Sequence, residues 1–176
     1  MTDYAHLTAP ATLEIYRSLP AAPERVWQYL TDPQLRQQWF CAGATGTAAG
    51  EEFVMDFDHS RLSTSPPPED AGCGEPVVMR GTIVRCDPPF ELAYEWPDEH
   101  GGGTLVTIRL TAEDGGTKLH LQHSRLTNPT FRTAASAGWH AHLDLLCDLM
   151  SGNTTRDFWQ HYGHLKQEYD QREATV

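Results

Sequence analysis

Two histidines occupy positions where they could do chemistry. Leu119, Leu121 and His123 alternate as the inward side of a strand, which makes His123 the one polar residue on that face. His142 lies on the inner side of a long helical stretch that also presents Trp139 and Leu146. Facing each other across an interior, two imidazoles can bind a carboxylate, relay protons near neutral pH or share a metal. No third ligand or orienting carboxylate is fixed by the spacing. The pair is therefore expected first as buried neutral histidines bonded to backbone carbonyls, with no catalytic residue assigned.

Other groupings carry less. His161, His164 and Glu168 fall at i, i+3 and i+7 on one helical face, a spacing that can hold a metal but more commonly marks a solvated surface. Arg80 shares a strand face with Val78, Thr82 and Val84. It could anchor an anionic head group if that face is inward, and otherwise pairs with a surface acid. Gly-x-Ser-x-Gly, a Gly-rich phosphate loop and a Cys/His pairing at a recognised spacing are all missing. Cys41, Cys73, Cys86 and Cys147 stand in no zinc-like spacing and are expected as free thiols, Cys73 the most exposed. No metal and no cofactor is expected.

The elements that must position these residues follow from periodicity. Leu13, Ile15 and Leu19 alternate with Glu14, Tyr16 and Ser18 as a first strand. Pro23, Val26, Trp27 and Leu30 then take helical spacing, and Asp32-Pro33 divides residues 21–40 into two short helices. Phe53, Met55 and Phe57 make a second strand. A polar, proline-rich stretch from His59 to Glu75 is long for a loop in a compact domain, and such loops are usually functional. Strands over 76–86, through Leu92, Tyr94 and Trp96, through Val106, Ile108 and Leu110, and through Leu119, Leu121 and His123 follow with short connections. That pattern predicts an antiparallel meander.

From about Asn128 the period turns helical, with Trp139, Leu143, Leu146 and Met150 on one side and Ser151-Gly152 closing the helix. A further helix is expected from about Thr154, where Thr154 and Asp157 resemble a capping box. Its stripe of Phe158, Tyr162, Leu165 and Tyr169 must be buried on its own domain or across a homodimer interface. Segregated strands and helices indicate an α+β domain, six to seven curved antiparallel strands wrapped on a long C-terminal helix. Residues 1–11 are expected as a tail, 12–151 as the domain and 152–176 as a helical extension.

The chain has 176 residues, 39% of them hydrophobic, with a formal charge of −11. That length suits one domain. The charge argues against nucleic acid, whose phosphates need Lys and Arg, and against anionic membrane surfaces. Residues 51–100 hold 12 acids against three Arg, a local balance of −9. The start MTDYAHLTAP has neither the basic region nor the apolar stretch of a secretory signal, so the protein is expected to be cytoplasmic.

The ordered series resembles a known family. Pro23-Glu24-Arg25-Val26-Trp27, Thr31-Asp32-Pro33 and Trp39 are followed by Gly81-Thr82-Ile83-Val84, Asp87-Pro88-Pro89, Leu92 and Trp96, then His123-Ser124, and Gly138-Trp139 with Leu143 and Leu146. These resemble the START-like, helix-grip superfamily (SRPBCC) shared with the major birch-pollen allergen, and within it the family named for the activator of the heat-shock protein 90 ATPase. The match spans about residues 12–151. Arg85 where an acid is common, the longer loop and the last helix depart from it. The resemblance implies a cavity between sheet and long helix that often takes an apolar ligand. Phe53, Met55, Phe57, Leu92, Tyr94, Trp96, Val106, Ile108, Leu121, His123, Trp139, His142 and Leu146 would line it. The implied function is binding of a small, mainly apolar molecule, with no assigned reaction. The alternatives are a protein that regulates a chaperone or other partner, as in a stress response, and a small enzyme using His123, His142 or Tyr94 as acid and base.

Overall fold

The computed structural model describes residues 4–9, 11–69, 71, 74–97 and 103–173. Cys73 and two glycines of the 101–103 turn lie outside them. Seven strands form one antiparallel sheet: β1 (His6–Ala9), β2 (Thr12–Leu19), β3 (Glu52–Phe57), β4 (Val77–Asp87), β5 (Glu91–Trp96), β6 (Thr104–Glu113) and β7 (Gly116–Ser124), in the spatial order β1-β2-β7-β6-β5-β4-β3. Strands β3 to β7 are the expected meander, and β2 closes onto β7 with Ile15 opposite Leu121. The apolar sides of the strands face one way and are buried together with the inner face of α3 (Pro129–Met150).

Local chemistry sets the helix boundaries. Asp32 ends α1 (Pro23–Thr31) and begins α2 (Pro33–Arg36), where its carboxylate accepts from the backbone N–H of Gln34 and Leu35. Asn128 caps α3 by accepting from Phe131 N–H, and Gly152, at φ 70°, provides the left-handed residue after its end. The last helix, α4, spans Phe158–Glu173. It starts later than the Thr154 capping box implies, because Asp157 acts as the cap itself, accepting from Gln160 N–H. The same carboxylate accepts from Ser63 Oγ and from the N–H groups of Thr64 and Ser65, so it ties the long loop to the base of α4. Those bonds hold its pKa well below the usual carboxylate range despite the opposing effect of burial.

The expected tail contains β1, which pairs along the free edge of β2. All four of its side chains are exposed, so main-chain bonds hold it and no apolar alternation announces it. The aromatic stripe of α4 is buried within this chain, Phe158, Trp159, Tyr162, Leu165 and Tyr169 joining the same core as the sheet. The apolar face that suggested a helix-mediated dimer is thereby covered.

An ion-pair network anchored on the buried Arg17 links the layers. Arg17 has the inward parity of Leu13, Ile15 and Leu19 and reaches Asp144 on α3 at 2.8 Å, the two side chains being 5% and 14% exposed. Arg156 and His161 approach the other oxygen of Asp144 at 3.0 and 2.8 Å. Burial alone would push the Asp144 carboxyl up, but the His161 bond and the nearby Arg17 and His140 outweigh it and hold it low. We expect Asp144→Ala, which removes the carboxylate that the buried Arg17 reaches, to cost ~3–5 kcal/mol in urea unfolding. Arg80→Ala, which breaks only an exposed pair with Glu52, should stay within about 0.5 kcal/mol.

Candidate functional site

The site lies where the concave side of the sheet meets α3. Phe53, Met55, Phe57, Leu92, Tyr94, Val106, Ile108, Leu121, His123, Trp139, His142 and Leu146 are all buried there, and Trp96 is half-buried. Phe40, in the turn after α2, sits at the centre. Its ring lies 5.0 Å from that of Trp139, 5.1 Å from those of Phe57 and His142, and 6.1 Å from that of Trp96. The space bounded by Leu30, Arg36, Trp39, Phe40, Phe53, Leu92, Tyr94, Ile108 and Trp139 amounts to about 10 Å³. A single water needs about that much. The expected cavity is filled by its own lining, and Phe40 stands between the small space and the Trp96–His142 region.

The two histidines are not brought together as a pair. His123 has Trp96, Phe131 and Trp139 as ring neighbours, whereas His142 has Phe40, Phe57, His59 and Phe158. The indole N–H of Trp139 can only donate, so it fixes His123 Nδ1 as acceptor at 3.0 Å and leaves Nε2–H to donate to Thr104 Oγ1 at 2.7 Å. His142 donates Nδ1–H to the Trp39 carbonyl at 2.7 Å, as a neutral buried histidine should. Its Nε2 is then an acceptor with no donor among the described residues. The Tyr94 hydroxyl likewise makes no hydrogen bond to a described residue.

Two participants carry no sequence signal. His59 is buried in the proline-rich loop, stacked on Phe158 at 4.6 Å and 5.4 Å from the His142 ring. A loop has no periodicity that could have revealed its inward position. Arg36 is 1% exposed and stacks over Phe53 at 4.4 Å, while Phe53 stacks on Tyr94 at 4.0 Å. Its Nε donates to Cys41 O, its Nη2 to the carbonyls of Ala42, Gly43 and Val54, and its Nη1 to Thr45 Oγ1. A four-residue helix is too short to display the face on which Arg36 lies.

The remaining candidates resolve individually. Arg80 is exposed and paired with Glu52 at 2.9 Å. His161 bonds Asp144 whereas His164 faces Glu168 at 3.4 Å, so the three residues of that helical face do not converge on one point. Among the described residues no three His, Cys, Asp or Glu side chains gather as a metal-ligand set. Cys41, Cys86 and Cys147 are free thiols.

A sequence profile of the family described as activator of Hsp90 ATPase homolog 1-like protein matches residues 20–151. The chain belongs to this family. Its helix-grip architecture recurs in solved structures. A Bordetella parapertussis protein solved by NMR is 32% identical, with a TM-score of 0.82 over 96% of this chain and 88% of that one. DynU16, a putative protein in the dynemicin biosynthetic locus, is 22% identical with a TM-score of 0.64, over 85% of this chain and 51% of its own. The Aha1 dimer from Colwellia psychrerythraea is 16% identical with a TM-score of 0.60, over 79% of this chain and 95% of that one. The last two likenesses are of fold alone. None of the curated proteins matches the chain. The matched residues hold α1, α2, β3 to β7 and α3, whereas β1, β2 and α4 lie outside them.

Burial lowers the pKa of His59 to about 4 and those of His123 and His142 to about 3, from an ordinary 6.5. Unfolded imidazoles take up protons near pH 6.5, and the folded ones do so only far below. Stability is therefore complete above about pH 7 and falls as the pH drops from 6.5 toward 4, by ~1.4 kcal/mol per pH unit for each histidine. Urea midpoints at pH 7.5, 6.0 and 5.0 should show this slope, and His142→Phe should reduce it by one proton. An unchanged slope in that variant would refute the assignment.

Proposed function

We propose that this protein binds a small, mainly apolar molecule between the sheet and α3, with Phe40 as the movable wall of the site. One observation carries the reading: an aromatic interior holds two polar groups, the Tyr94 hydroxyl and His142 Nε2, that make no hydrogen bond to a described residue. Binding sites are mostly apolar with a few orienting polar groups, and this combination is of that kind. The half-buried Trp96 and Phe131, 37% exposed beside His123, lie where the aromatic interior approaches solvent. DynU16, from a biosynthetic locus, is a relative in fold that agrees with a small-molecule role. Among the described residues no helix is long and apolar enough to cross a membrane, and a cytoplasmic location fits this reading.

A second reading has its own support. Val77, Val78, Val84 and Phe90 are exposed within the acidic 51–100 region, which makes that part of the surface a candidate for contact with a protein partner such as a chaperone. The family description and the Aha1 dimer of Colwellia point the same way. Several of the acids are already paired, Glu91 with Arg85 and Arg109, and Glu95 with Arg125, which lessens the charge available to a partner.

A panel of apolar aromatic compounds tested by thermal shift decides the first reading. A ligand at a hundredfold excess over its Kd adds ~2.7 kcal/mol, which raises Tm by about 5–10 °C for a chain of this size. Phe40→Ala should cost ~3–5 kcal/mol by itself yet respond more strongly to the same compounds, since it opens the interior. Trp139→Ala should abolish the response. A panel in which no member raises the Tm of the native protein or of Phe40→Ala would sink this reading.

A further inference from the structure

Arg36 has a property that a structural clamp does not require. Its guanidinium stays charged, is 1% exposed, and has no carboxylate within ion-pair distance among the described residues. All its partners are neutral: four carbonyls and a threonine hydroxyl. These occupy Nε and Nη2 fully, but Thr45 takes only one of the two hydrogens on Nη1. The nearest acidic groups cannot neutralise it. Burial pushes the Cys41 thiol up to about 12 and the Tyr94 phenol well above its ordinary value, so both remain protonated. Buried charges are ordinarily paired, because desolvating an ion without a counter-ion is costly. Arg36 and Tyr94 also border the same small interior space, together with Phe40 and Trp139, through a lining that is almost wholly apolar.

We propose that Arg36 and the Tyr94 hydroxyl form an acid-recognising end of the interior, so that the ligand is an aromatic molecule carrying a carboxylate. This inference rests on the ligand-binding reading and specifies the chemistry of that site. The carboxylate would accept from the spare Nη1–H and from the Tyr94 hydroxyl, supplying the missing counter-charge. The ring system would displace Phe40 and lie against Trp139. A protein of net charge −11 repels anions at its surface. Preference for an acid over its neutral ester therefore reports an internal site.

The test compares 2-naphthoate with methyl 2-naphthoate by calorimetry at pH 7.5, while NMR follows the Arg36 Nε–H signal. We expect the acid to bind at least about tenfold more tightly than the ester, the advantage of a charge-assisted contact. The Arg36 signal should shift on saturation. Tyr94→Phe, which keeps the ring and its stacking on Phe53, should remove much of the preference without weakening the ester. Equal binding of acid and ester, or an Arg36 signal unmoved at saturation with the acid, overturns the inference and leaves the ligand-binding reading standing. Binding of neither compound to the native protein or to Phe40→Ala, together with a silent apolar panel, overturns both.

Discussion

The carboxylate of Asp144, 14% exposed, is the group on which the arrangement of layers depends. One side chain on α3 is reached by Arg17 from β2, by Arg156 from the connector and by His161 from α4. Apolar packing between sheet and helix is not directional and would permit the helix to slide. A buried ion pair does not, because any shift leaves a charge unsatisfied at a cost of several kcal/mol. The register of α3 over the sheet thereby fixes where Trp139 and His142 stand relative to Phe40, Phe57 and Trp96.

A second constraint acts at the opposite end. Arg36 gathers the carbonyls of residues 41–43 and of Val54, which ties the turn after α2 to β3. That turn carries Phe40 into the middle of the interior. The interior is thus bounded by two buried arginines in different electrostatic situations. Arg17 has a carboxylate partner, and Arg36 has only neutral acceptors. Three of the buried histidines, His59, His123 and His142, are kept neutral by desolvation. Trp139 donates to His123, which is itself bonded to Thr104, and the Trp39 carbonyl accepts from His142.

Loop and last helix close the structure as one unit. Asp157 caps α4 and bonds the 63–65 segment, and Phe158 N–H donates to Leu62 O. His59 enters the core on that same loop, stacked between the rings of Phe57 and Phe158. The family match ends at residue 151, before α4, whereas the Bordetella protein aligns with 96% of this chain.

The sequence by itself determined the elements with a period. Phe53, Met55 and Phe57, or Leu119, Leu121 and His123, can alternate in only one way on a half-buried strand, so their inward faces were legible, as was the stripe of α3. It also determined the acidity that disfavours nucleic acid and anionic membrane surfaces. Tertiary structure alone decided whatever has no period. Four exposed residues became an edge strand because β2 had unpaired main-chain groups, and a loop histidine entered the core because α4 pinned the loop. Arg36 was turned inward because the carbonyls that receive it, those of residues 41–43 and of Val54, are gathered only where the turn after α2 packs on β3. The state of the interior was likewise a tertiary matter, since composition names the side chains that line a space but only their packing decides whether they fill it.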